Sequence, residues 1–96
     1  MKIFLDDVRT TPDGWVRCYY PKEVITLLKN HRVTEISLDH DLGYTTETGY
    51  DVLLWIEEQV VLNSYKPPKI YIHSDNASAI QKMRLAVQSI EKRSNT

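Results

Sequence analysis

Ile36-Ser37-Leu38-Asp39-His40-Asp41 decides the fold: a short apolar run ends abruptly in a cluster of ionisable side chains. The same pattern flanks it on both sides. Ile3-Phe4-Leu5 runs into Asp6-Asp7, with Arg9 close behind, and Ile70-Tyr71-Ile72 runs into His73-Ser74. Runs this short, rich in β-branched and aromatic residues, read as buried strands. If the three strands are parallel, their ends lie side by side on one edge of a sheet. Open α/β sheets hold their ligands outside that edge. Asp6, Asp7, Asp39, Asp41, His40, His73, Arg9 and Ser74 then converge, in outline a site for a divalent metal and a phosphate.

Between these runs the apolar spacing is helical. Pro21 suits a first helical position, and Val24, Leu27 and Leu28 give i, i+3, i+4 spacing, so a helix is expected over 21–30. Thr48 and Asp51 form a possible capping box for a second helix ending near Asn63, with Leu53, Ile56 and Val60 inward. Lys66-Pro67-Pro68 breaks the pattern before a strand at 69–72. Asp75 or Asn76 can cap a last helix with Ala79, Met83, Ala86 and Ile90 on its inner stripe, fraying from Arg93 to Thr96. Residues 15–20 offer one more strand after the turn signal Thr10-Thr11-Pro12-Asp13-Gly14. Strands alternating with amphipathic helices predict an α/β fold with about four parallel strands and helices on both faces. The segment between residues 6 and 15 is short for a crossover helix. Either a single turn fills it or the 15–20 segment is not paired in parallel.

The 96 residues suit one domain, spanning 1–96. Lys and Arg number 12 against 13 Asp and Glu, a net charge of −1, which does not support duplex nucleic-acid binding. An RNA end or a small phosphorylated ligand needs only a local site and stays open. Cys18 is the single cysteine, so no internal disulfide can form. The first apolar run stops at Asp6, too short for a signal-peptide core, and no apolar stretch is long enough to span a membrane. A cytoplasmic location without membrane contact is expected.

Four motifs carry a resemblance: Leu5-Asp6-Asp7-x-Arg9, Asp39-His40-Asp41-Leu42-Gly43, Thr48-Gly49-Tyr50-Asp51 and His73-Ser74-x-Asn76. Together they resemble the receiver domains of two-component signalling, and more closely a receiver-like branch predicted to process cyclic phosphates. The resemblance implies a small flavodoxin-like, three-layer fold with a metal site at the carboxyl edge of the sheet. By position, Asp6 or Asp7 and Asp39 would bind the metal, with the backbone carbonyl of Asp41 near a third ligand position. Asp39 falls where a signalling receiver keeps its phospho-accepting aspartate, and Ser74 where it keeps a hydroxyl residue. A signalling receiver also carries a lysine after a fifth strand. Here no fifth strand follows the third helix, and that lysine has no positional match.

Clustered carboxylates repel one another, and a divalent cation relieves that penalty. Oxygen donors with room for water and phosphate suit Mg²⁺ or Mn²⁺. Arg9 can grip two phosphate oxygens with its planar fork, or serve as an ion-pair partner for Asp6 or Asp7. His40 or His73 can move the proton in general acid–base catalysis. Ser74 can bind a phosphate oxygen or start the last helix. Gly43 and Gly49 read as backbone-permissive positions, Tyr44 and Tyr50 as packing or base-stacking residues, and Trp15 and Trp55 as core anchors. The expected function is a metal-dependent phosphoesterase acting on an RNA 2′,3′-cyclic end, a cyclic nucleotide or an ADP-ribose cyclic phosphate. That substrate class comes from the resemblance alone. The alternatives are a phospho-acceptor domain using Asp39 and a non-catalytic interaction module.

Overall fold

A computed structural model describes residues 1–42 and 46–94. Four strands form one sheet: β1 (Lys2–Leu5), β2 (Val16–Cys18), β3 (Glu35–Leu38) and β4 (Lys69–Ile72). They are ordered β2-β1-β3-β4 and every pairing is parallel. Three helices follow the strands: α1 (Pro21–Asn30) after β2, α2 (Gly49–Asn63) after β3 and α3 (Ala77–Ser94) after β4. This is the expected receiver-like, flavodoxin-like topology, and a fifth strand is absent among the described residues.

The short connection from β1 to β2 holds no helix. The Asp6 carboxylate accepts hydrogen bonds from Val8 N at 2.8 Å and Arg9 N at 2.9 Å, bending the chain back at once. A second turn closes with Trp15 N donating to Pro12 O, where Gly14 supplies the positive φ of 84°. Two turns therefore do what a crossover helix does elsewhere. β2 is shorter than the 15–20 segment expected. Tyr19 N and Tyr20 N both donate to Glu23 Oε1, so the chain leaves the ladder to start α1.

Local capping agrees with the sequence. Thr48 Oγ1 accepts from Tyr50 N while Asp51 Oδ2 accepts from Thr48 N at 2.7 Å, the reciprocal box that starts α2. Asn76, not Asp75, caps α3, with its Oδ1 accepting from Ala79 N. The fraying expected from Arg93 to Thr96 does not hold for the first two of those residues. Arg93 and Ser94 remain in α3, where Arg93 Nε donates to Ser89 Oγ and Ser94 Oγ donates to Glu91 O. Gly43 and Tyr44, and the last two residues, lie outside the described residues.

One expectation needs correction: the helices do not cover both faces. α2 packs against both α1 and α3, so the three form a single layer. Their side chains Val24, Leu53, Ile56 and Met83 meet Ile3, Leu5, Ile36 and Leu38 in one buried cluster. Strand alternation sends Lys2, Phe4, Arg17, Ser37 and Tyr71 to the other face. No described helix lies there. Trp15 packs edge-on against Phe4 and Tyr71, and Lys2 pairs with Glu35 at 3.3 Å. The physical reason is that the 6–15 connection is too short for a helix and the face it leaves bare is polar and aromatic rather than aliphatic. Both Trp15 and Trp55 are half-buried, Trp55 against Tyr65.

Candidate active site

Parallel register builds the site. Leu5, Leu38 and Ile72 are aligned across β1, β3 and β4. One residue further on, the ladder continues: Asp6 N donates to Cys18 O, Asp39 N to Leu5 O and His73 N to Leu38 O. Asp6, Asp39 and His73 therefore stand next to one another at the carboxyl edge. One donor atom from each lies within 4.8 Å of the others. Asp6 is 0% exposed and Asp39 4%, the two buried carboxylates of the described residues.

The two carboxylates differ in their partners. All the acceptor capacity of Asp6 is used: Oδ1 takes Val8 N and Arg9 N, and Oδ2 takes Arg9 Nη1 and His73 Nε2, each at 3.0 Å. Burial pushes its carboxyl up, but the Arg9 and Val8 N–H groups, the Arg9 guanidinium and the His73 charge outweigh it and hold it at about 2. Among the described residues Asp39 has one close donor, His40 N on Oδ1 at 2.8 Å, with Arg9 Nη1 at 3.5 Å from Oδ2. Burial and the neighbouring Asp6 charge push its carboxyl up, against the opposing pull of His40 N–H, His73 and Arg9.

Arg9 crosses the mouth of the site. Besides Asp6 and Asp39, its Nη2 reaches Asp75, an exposed residue of the β4–α3 turn, at 3.0 Å. Arg17, on the helix-free face, was not singled out by its sequence context. Its Nε donates to Asp6 O, its guanidinium lies over Tyr19, and Nη2 is buried 4.0 Å from Asp6 Oδ1. Pairing it with Asp6 needs the β1–β2 register, which no local pattern announces.

The two histidines are held differently. His40 is half-buried, with Nδ1 2.8 Å from Asp41 Oδ1 and no partner on Nε2 among the described residues. His73 has both ring nitrogens engaged, Nε2 by Asp6 and Nδ1 by Ser37 Oγ at 2.6 Å. Its ring is stacked on Phe4 at 4.4 Å and 3°. Burial pushes its imidazole down, with the Asp6 and Asp39 charges pulling the other way.

Other residues singled out in the sequence lie around this cluster. Asp7 is half-buried, and it and the exposed Asp41 side chain stand outside the Asp6, Asp39 and His73 group. Ser74 Oγ accepts from Asn76 N, a turn bond beside the site. Tyr50 is covered by Lys82, 4.0 Å above its ring. Gly49 matters sterically. Its N–H donates to Asp39 O, and a Cβ on it would stand 2.2 Å from that same oxygen. Two hollows of about 440 and 560 Å³ lie on the helix layer, beside Val60 and Tyr65 and beside Arg84 and Leu85. Neither contains a converging set of ionisable groups, so chemistry rather than concavity locates the site.

The donor set fits a hard divalent cation. Two adjacent buried carboxylates share one guanidinium, and the upward push on Asp39 marks a place short of positive charge. Oxygen donors of this kind suit Mg²⁺ or Mn²⁺. Arg9 and a cation would compete for Asp6 Oδ2, since that oxygen already has two partners.

Neither a curated protein nor a solved structure matches the chain. A family model described as "Cyclic-phosphate processing Receiver domain" matches residues 1–89. With the parallel sheet and the carboxyl-edge acids in place, the chain belongs to the cyclic-phosphate processing receiver domain family.

Proposed function

We propose that the protein is a metal-dependent phosphoesterase that opens cyclic phosphates, such as RNA 2′,3′-cyclic ends, cyclic nucleotides or ADP-ribose cyclic phosphate. The carrying observation is the convergence of Asp6, Asp39 and His73 within 4.8 Å, bridged by Arg9. Family membership supplies the substrate class.

Asp39 and Asp6 would hold Mg²⁺ or Mn²⁺. Bound there, the cation would supply Lewis-acid polarisation of a phosphoryl oxygen. Arg9 can turn its fork from Asp75 to phosphate oxygens, because that ion pair is exposed at the open mouth. Ring opening by water forms one P–O bond, breaks one P–O ester bond and requires one proton to be taken up and one returned. His40 suits that work. The Asp41 carboxylate accepts from Nδ1–H, so the neutral ring leaves Nε2 free to take a proton from water and give one to the leaving oxygen. Such catalysis typically contributes about 10²–10⁴-fold.

The test is incubation of the pure protein with 2′,3′-cyclic nucleotides and Mg²⁺ or Mn²⁺. The expected result is a linear phosphomonoester, with turnover lost in Asp39→Asn and in His40→Gln. No turnover of several cyclic phosphates despite measurable Mn²⁺ binding overturns the reading. Acid-labile labelling of Asp39 by acetyl phosphate, lost in Asp39→Asn, would instead establish a phospho-acceptor domain.

A further inference from the structure

Ser37 lies mid-strand in β3, on the face without helices, and nothing in its sequence context suggests a role. Its hydroxyl is nonetheless the second partner of the buried-edge histidine. The chain of contacts runs Ser37 Oγ, His73 Nδ1, His73 Nε2, Asp6 Oδ2, with distances of 2.6 and 3.0 Å at its two bonds.

The proton positions in this chain follow from the donors around Asp6. Two backbone N–H groups and a guanidinium N–H already point at its oxygens, and none of them can accept. Asp6 is therefore an ionised acceptor, and the bond to His73 is donated by Nε2–H. A neutral imidazole with its proton on Nε2 has a lone pair on Nδ1. Ser37 can satisfy that lone pair by donating its hydroxyl proton, and a serine hydroxyl turns freely to do so. The Phe4 ring, parallel to the imidazole at 4.4 Å, fixes the plane in which both bonds lie.

We propose that Ser37 is a positioning residue that locks His73 as the Nε2–H tautomer, so that His73 aims Asp6 at the reaction centre and takes no part in proton transfer to substrate. The inference rests on the phosphoesterase reading above and divides the labour between the two histidines. His73 has no free nitrogen and is a clamp, while His40 Nε2 has no partner among the described residues and is left for the substrate. It also gives the helix-free face a purpose: Phe4, Ser37 and Arg17 all reach the site from that side. Bonds of this kind to a ligand-bearing group typically change affinity or activity by about 10–100-fold when removed.

The experiment uses the full chain, labelled with ¹⁵N, at neutral pH without added metal. Long-range ¹H–¹⁵N correlation reads which ring nitrogen of His73 carries the proton, with His73→Gln identifying its signals. The expected wild-type pattern has Nε2 protonated and Nδ1 bare. Ser37→Ala is expected to blur it into a tautomer mixture, with Mn²⁺ affinity and cyclic-nucleotide turnover lowered about 10–100-fold. Ser37→Thr, which keeps the hydroxyl, is expected to restore both. A thermal melt confirms that the variants fold. A proton on Nδ1 in the wild type, or a pattern unchanged in Ser37→Ala, overturns the inference. A tautomer that responds to Ser37 in a protein without cyclic-phosphate turnover would sink the substrate reading and leave the clamp standing. Turnover with an unresponsive tautomer would do the reverse.

Discussion

The ends of β1 and β3 carry the same side chain one strand apart, yet they are built for opposite purposes. At the end of β1, Asp6 is surrounded by four donors, so a cation would have to compete with Arg9 for it. At the end of β3, Asp39 has one close donor among the described residues and a carboxylate for a neighbour. Burial penalises both. The turn after β1 more than offsets it with backbone N–H groups, while after β3 the one N–H on the Asp39 carboxylate among the described residues is that of His40. One carboxylate is thus anchored on all sides, and the other has fewer partners among the described residues.

The largest effect should come from removing the anchor. Asp6→Ala leaves Arg9, His73 and two backbone donors without their acceptor, and about 3–5 kcal/mol of stability should be lost by denaturant titration. A change under 1 kcal/mol would erase the contrast. Acid probes the same anchor without mutation. The Asp6 carboxyl lies at about 2 when folded and near 3.8 when unfolded. Its contribution, on the order of 2 kcal/mol, should be complete above about pH 4 and disappear as pH falls through about 2. The sign is that of a depressed carboxylate, and in Asp6→Asn this part of the acid limb should flatten.

Gly49→Ala attacks the other carboxylate through its backbone. The new Cβ would meet Asp39 O at 2.2 Å, so β3 or the start of α2 must shift. Overpacking of this sort costs about 1–3 kcal/mol, and Mn²⁺ affinity should fall along with stability. Asp39→Asn is expected to sharpen the comparison most cleanly. It removes the repulsion with Asp6, so stability should hold or rise by up to about 1 kcal/mol while metal-dependent activity is abolished. A large loss of stability would mean that Asp39, too, is an anchor. The smallest change is Asp75→Asn. This side chain is exposed, so stability should move by less than about 0.5 kcal/mol. Freed from it, Arg9 should hold substrate more tightly, read as a lower KM.

Much of this arrangement was legible. Three apolar runs ending in acids or histidine identified the parallel strands and their shared edge, because a strand's alternation and abrupt end are local properties. The Thr48–Asp51 box was legible for the same reason, and the cap of the last helix was narrowed to Asp75 or Asn76. The single helix layer was not. Counting helices does not say which face they take, and the expectation of cover on both sides failed where the 6–15 segment proved to be two turns. Ser37 and Arg17 escaped because their partners, His73 and Asp6, are brought within reach only by strand register. Gly49 was noted as permissive, but its reason, contact with the Asp39 carbonyl, lies across the loop between β3 and α2.

By itself, then, the order of residues determined the strands, the helices, their caps and the list of side chains able to hold a cation and a phosphate. Each depends on interactions within a few residues or on a period that the chain displays openly. Only the tertiary structure decided which carboxylate is saturated and which is left wanting, which histidine is clamped and which is free, and which face of the sheet stays bare. Those outcomes are completed by segments far apart in the chain: the turn at Val8 and Arg9 supplies three of the Asp6 donors, but the fourth, His73, and the Ser37 that holds it arrive only through parallel pairing.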